Sequence, residues 1–189
     1  MTGAGQGARD GDDGSGAVAL VTGAGRGIGR AVAERLSREG MRVALSARSE
    51  NELAETASGC GGPTLVLPRD LTDPRAPDDL VAEVTREWGP VEVLVANAGA
   101  GISSRVERTS DDDWQRMLDI NLTAPFRCLR AVIPAMRKSG AGRIIVVASI
   151  AAKVGEPYIS AYTASKHGVL GLVRSAATEL ASTGVTVNA

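Results

Sequence analysis

A single histidine, His167, means that any Ser-His-Asp triad or histidine-rich metal centre would have to be built around that one residue, and its supporting residues are missing. Cysteine is almost as scarce. Cys60 lies in a Cys-Gly-Gly turn and Cys128 in a helical pattern, far apart and without metal-ligand spacing, so both read as reduced structural thiols. There is no excess of either charge: 21 Lys and Arg face 22 Asp and Glu, which leaves no basic surplus for a nucleic-acid partner. Long hydrophobic runs are absent too. Charges interrupt the apolar stretches well short of a bilayer's thickness, and the amino terminus has no hydrophobic signal segment, so we expect a cytoplasmic protein without a membrane partner.

What is present suffices for one domain with a real core: 43% of the 189 residues are hydrophobic. Residues 1–16 hold six glycines, three aspartates and no large apolar side chain beyond the initiator Met1. Nothing there offsets the entropy of ordering, and we expect a disordered tail followed by a dinucleotide-binding catalytic domain over 17–189. That domain opens with a valine-rich apolar run, 18–21, leading into Thr22-Gly23-Ala24-Gly25-Arg26-Gly27-Ile28-Gly29. Helical periodicity follows, with Ile28, Val32 and Leu36 on one face. A glycine-rich turn between strand and helix lets the backbone approach a ligand, and the helix start offers free N–H groups and a positive dipole end. The turn reads as a diphosphate cradle. Its spacing is neither G-x-G-x-x-G nor the triphosphatase loop, because no Lys-Ser/Thr follows the last glycine.

Beyond it, strand and helix patterns alternate. Strands are expected at 41–46, 64–67, 91–96, 142–148 and 185–187, and helices at 50–58, 78–88, from Ser110 through Ile120, 122–138 and 160–182, with a kink or restart near Asn121 imposed by Pro125. Strands each followed by a helix imply an α/β fold, a doubly wound parallel sheet with helices on both faces. Ligands in such sheets sit at the carboxyl ends of the strands, where Gly23 to Gly29, Arg48, Asp70, Asn97 and Ser149 all fall.

Tyr162 and Lys166 stand four residues apart on the last helix and so share a face, where an ammonium can stabilise the anion of a phenol whose ordinary pKa is about 10. The T-G-x-x-x-G-x-G turn together with Tyr162-Thr-Ala-Ser-Lys166 resembles the short-chain dehydrogenase/reductase family, and the resemblance runs from Val18 to Ala189. It implies a Rossmann-like fold and a catalytic tetrad of Asn121, Ser149, Tyr162 and Lys166. Tyr162 would exchange a proton with the substrate oxygen while Ser149 hydrogen-bonds that oxygen. Lys166 would lower the tyrosine pKa and hold the nicotinamide ribose, and Asn121 would hold a water in the proton path. Asp70, with Leu71 beside it, and Asn97-Ala98-Gly99 match the family's adenine-side and strand-end motifs. Thr22, Gly23, Gly25, Arg26, Gly27, Ile28 and Gly29 would cradle the cofactor. Ala96 departs from the pattern, since the family usually has a further asparagine there.

Cofactor choice turns on the end of the second strand. An acid there would take a ribose 2′-hydroxyl, but the chain has Ala47 and then Arg48, whose guanidinium suits a phosphate, so NADP (NADPH) is expected over NAD. The resemblance implies a ketone/alcohol or acyl thioester substrate, as in the 3-oxoacyl thioester reductases. Residues 100–108 and 150–159, with Tyr158, would line the pocket mouth. The alternative is a catalytically silent dinucleotide-binding sensor or scaffold, which would have no need of a phenol beside an ammonium. Two helices, 122–136 and 161–180, are apolar on more than one stripe, so a homodimer or homotetramer is expected. The family continues beyond the point corresponding to Ala189 with a turn, a substrate-covering helix and a further strand. We therefore expect a C-terminally truncated form, prone to aggregation or nearly inactive alone.

Overall fold

The computed structural model describes residues 16–189. The expected disordered tail lies outside the described residues, apart from Gly16, whose carbonyl accepts a hydrogen bond from Arg42 Nε at 2.9 Å.

Six strands, β1 (Val18–Thr22), β2 (Arg42–Ala47), β3 (Thr64–Pro68), β4 (Val93–Ala96), β5 (Gly142–Val146) and β6 (Val185–Asn188), form one sheet. Its order is β3-β2-β1-β4-β5-β6 and every pairing is parallel. The chain starts in the middle, builds outward to β3, then returns beside β1 and builds the other way. The order therefore reverses between β1 and β4, where a crevice opens at the strands' carboxyl ends.

Six helices connect the strands: α1 (Gly27–Arg38), α2 (Glu50–Ser58), α3 (Ala76–Trp88), α4 (Asp111–Leu118), α5 (Ala124–Ser139) and α6 (Ser160–Leu180). All five residues of β1 are buried, without the alternation of a half-exposed strand, because both sheet faces are covered. Ala19, Val21, Val43, Leu45 and Val95 pack with Ala33 of α1 and Leu53 of α2. Leu20, Leu94 and Ile144 pack on the other face with Leu80 and Val84 of α3, Leu129 of α5 and Val169 of α6. Strand β5 does alternate, and Ile145 is left 42% exposed.

Two local expectations differ in detail from the observed chain. Helix α1 has the expected period, and Val32 and Leu36 pack against the core, but its fully buried residues are one position on, Gly29, Ala33 and Ser37, and Ile28 is 62% exposed. Gly29 must face inward, since a Cβ there would collide with the Gly23 carbonyl and stand 2.6 Å from Asn97 Nδ2. Near Asn121, where a kink or restart was expected, the α-helical ladder is interrupted. A π-helical turn, Asp119–Thr123, joins α4 to α5, and Pro125 occupies the first turn of α5, where its missing N–H costs nothing. Among the described residues no helix is long and apolar enough to cross a membrane.

Candidate active site

The junction of β1 and α1 is built for close backbone approach. Gly23 and Gly27 have φ of +63° and +56°, and a Cβ on Gly27 would meet no atom within 4 Å. Gly27 therefore faces open space. The N-cap residue of α1, Arg26, makes no side-chain capping bond and the first turn carries no acid, so the helix's first N–H groups remain available to an anion. A diphosphate fits that cradle.

The loop is held from behind by residues that local sequence patterns left unassigned. Arg30 donates to the Gly25 carbonyl from Nε at 3.1 Å and Nη2 at 2.6 Å, and Thr56 of α2 donates to the Ala24 carbonyl at 2.9 Å. Thr22 Oγ1 accepts from the Asn97 and Ala98 N–H groups at 3.0 and 3.1 Å. In return, Asn97 Nδ2 donates to the carbonyls of Thr22 at 3.0 Å and Gly23 at 3.1 Å. Thr22 and Asn97 thus clasp β1 to the end of β4.

A cavity of about 890 Å³ opens at this switch point. Of the residues expected to bind the cofactor, Gly23, Gly25, Arg26, Gly27, Ile28, Arg48, Asp70, Leu71, Asn97, Ala98 and Gly99 line it. Thr22 and Gly29 do not, being buried behind the loop. The exposure of Ile28 follows from its place on this wall. Gln115, Arg116 and Ile120 add a wall from α4 and the π-helical turn that nothing in the sequence pointed to. Asp70 Oδ1 accepts from Thr72 N at 3.0 Å and Thr72 Oγ1 at 2.8 Å. The Thr72 backbone N–H holds its carboxyl below the usual range, aided by the Thr72 hydroxyl and by Arg48 and Arg116.

None of the four tetrad candidates lines this cavity. Lys166 is only 5% exposed; its Nζ donates to the Val147 carbonyl at 2.9 Å and stands 5.7 Å from the centroid of the Tyr162 ring. Burial pushes its pKa down from the ordinary 10.5, and among the described residues it has no carboxylate partner. Asn121 is fully buried, and its amide pairs with both main-chain groups of one residue: Oδ1 accepts from Ala100 N at 3.1 Å and Nδ2 donates to Ala100 O at 2.8 Å. A Cβ on Gly99 would sit 2.9 Å from Asn121 Oδ1 and 3.7 Å from Lys166 Nζ, so both groups flank Gly99. Ser149 caps a 3-10 turn, Ile150–Ala152, its hydroxyl accepting from Ala151 N at 3.2 Å; that turn packs on α6.

Tyr162 lines a second, smaller cavity of about 290 Å³ with Gly101, Ile102, Ser103 and Ile159. Parts of both segments expected at the pocket mouth are therefore there. Tyr158 itself is not among the lining residues: it is 55% exposed and has φ +67°, a sparsely populated conformation for an aromatic residue. Its carbonyl accepts from Ser104 N at 2.7 Å, and Ser104 bridges Ile159, tying the two segments together.

A family model described as short chain dehydrogenase matches residues 17–189. The chain is 40% identical over 175 residues to the 3-oxoacyl-(acyl-carrier-protein) reductase FabG of Salmonella typhimurium, covering 92% of this chain and 71% of that protein. It is 38% identical over 176 residues to the D-beta-hydroxybutyrate dehydrogenase of Rhizobium meliloti, covering 90% of this chain and 68% of that one. Among solved structures, levodione reductase superposes with a TM-score of 0.89 at 31% identity, over 91% of this chain and 69% of that one. NAD+-bound xylitol dehydrogenase superposes with a TM-score of 0.88 at 36% identity, over 91% and 68%.

Proposed function

The chain belongs to the short chain dehydrogenase family, and from that premise we propose that it is an NADP-dependent oxidoreductase that interconverts a ketone and a secondary alcohol. Its similarity to a 3-oxoacyl-(acyl-carrier-protein) reductase and to a D-beta-hydroxybutyrate dehydrogenase supports a 3-oxoacyl thioester as substrate class, since both names imply an oxygen function at the third carbon. The observation that carries the reading is Lys166: an ammonium buried beside a phenol and hydrogen-bonded to the Val147 carbonyl stabilises negative charge on that phenol.

The glycine cradle would hold the dinucleotide's diphosphate and Lys166 its nicotinamide ribose; when bound, the dinucleotide supplies the hydride. The residues around it handle the oxygen and the proton. Tyr162 donates its phenolic proton to the carbonyl oxygen as that oxygen gains charge, and Lys166 stabilises the phenolate that remains. The Ser149 hydroxyl spends a lone pair on Ala151 N–H, which leaves its own proton free for the same substrate oxygen. Asn121 keeps one Oδ1 lone pair beyond its bond to Ala100, available for a water beside Lys166.

The proposal extends to a homodimer or homotetramer joined through α5 and α6 and to a cytoplasmic location. Phe126 of α5, 45% exposed with the Arg130 guanidinium 5.7 Å from its ring centroid, supports the first. The deciding experiment is Tyr162→Phe. Steady-state ketone reduction should fall by roughly 10²- to 10⁴-fold, the usual worth of a positioned acid, while NADPH binding stays close to that of the parent. Retention of most of the parent rate would remove Tyr162 from the chemistry and the proposal with it.

A further inference from the structure

Ser49 and Glu52 stand at the spacing of a capping box, in which the glutamate reaches back to the N-cap N–H. Only half of that box forms. Ser49 Oγ accepts from Glu52 N at 3.3 Å, but the Glu52 carboxylate makes no hydrogen bond or ion pair among the described residues. Instead it lines the large cavity beside the glycine loop. Its Oε2 lies 2.9 Å from the point a Cβ on Gly25 would occupy, and the Ala47 Cβ lies 3.6 Å from that same point. The absent side chain of Gly25 and the small one of Ala47 are what give the carboxylate its place. Arg48, the next residue after β2, lines the same wall.

The end of β2 is where a doubly wound fold meets the adenosine ribose. We propose that Glu52, reaching that position from α2 rather than from the strand, is the acidic arm of the ribose subsite. It accepts a hydrogen bond from a ribose hydroxyl and opposes a 2′-phosphate. The contest between Arg48 and Glu52, rather than Arg48 alone, then sets how strongly the chain prefers the phosphorylated dinucleotide. This rests on the dinucleotide site proposed above and adds a specificity determinant to it. A carboxylate accepts hydrogen bonds and cannot donate to a phosphate, and a 2′-phosphate adds about −1.5 to −2 charges. Two negative groups in a partly enclosed cavity repel far more than they would in open water.

Calorimetric titration with 2′,5′-ADP and 5′-ADP tests this without turnover, comparing the parent with Glu52→Gln and Glu52→Asp. The cap survives all three, since Glu52 contributes only its main-chain N–H to it; melting curves near that of the parent verify folding. Glu52→Gln should tighten 2′,5′-ADP by about tenfold, the factor that relief of one partly screened charge repulsion supplies, and should leave 5′-ADP unchanged or a few-fold weaker. Glu52→Asp, which keeps the charge but withdraws it by one methylene, should fall between parent and Gln for 2′,5′-ADP. Equal shifts for the two probes, or none, would overturn the assignment of Glu52 while leaving the dinucleotide site standing. A parent that binds neither probe would overturn both.

Discussion

Replacing Gly99 by alanine tests whether the floor of the site is as tightly built as its contacts imply. The φ of Gly99 lies outside the left-handed region, so the cost is steric and local. The new methyl would stand 2.9 Å from Asn121 Oδ1, where ordinary contact begins near 3.4 Å. Backbone holds both sides: Gly99 directly follows the clasp formed by Thr22 with Asn97 and Ala98, and Asn121 sits in the π-helical turn between two helices. The amide must therefore give way, which loosens or breaks its bonds of 3.1 and 2.8 Å to Ala100. Asn121 is fully buried, so bulk solvent does not replace those two partners, and a water beside Lys166 would use the other Oδ1 lone pair. At about 1–3 kcal/mol per buried group left unsatisfied, the loss comes to roughly 2–4 kcal/mol. For a domain of this size that lowers Tm by roughly 4–16 °C. The control is Gly101→Ala, whose methyl would meet only Tyr162 Cδ2 at 3.9 Å, an ordinary contact, and whose Tm should match the parent. Differential scanning calorimetry on the three proteins decides it. Equal melting of Gly99→Ala and Gly101→Ala would show that Asn121 is not braced against Gly99 as described.

Arg48→Ala should weaken NADPH by about 1.5–3 kcal/mol, the worth of a charge-assisted contact, and barely alter NADH. Equal losses in fluorescence titrations with the two cofactors would count against Arg48 as the phosphate partner. Lys166→Met should change the pH dependence of stability in the apoprotein. Burial lowers the folded-state pKa of Lys166 below 10.5, so the unfolded chain binds the extra proton between the two values. The parent should accordingly gain stability as pH rises through that window, and bear its full burial cost below it. The difference in Tm between Lys166→Met and parent should therefore be largest at neutral pH and shrink toward pH 10.5. A difference independent of pH would show that Lys166 titrates as it does in water.

Chain-local patterns determined the elements and the kind of site. The 50–58 helix is found at Glu50–Ser58 because Ser49 caps it and Gly59 follows it, both features that neighbouring residues decide. The glycine turn, Tyr162 with Lys166, and the strand ends bearing Arg48, Asp70 and Asn97 were equally legible, since each depends on residues a few positions apart. What the tertiary structure decided involves groups that meet only when strands pair. Thr22 and Asn97 are 75 residues apart, and only the parallel register of β1 on β4 makes them a clasp rather than two separate ligands. The phase of α1 followed from the close passage of Gly29 under Gly23, a steric demand that outweighed burial of Ile28. A proline at position 125 suggested a break near Asn121; the interruption is a π-helical turn, and the Asn121 amide within it bonds Ala100. Glu52 falls within the helix expected at 50–58, but its direction, into the cavity rather than back to the cap, was settled by the space that Gly25 and Ala47 leave empty.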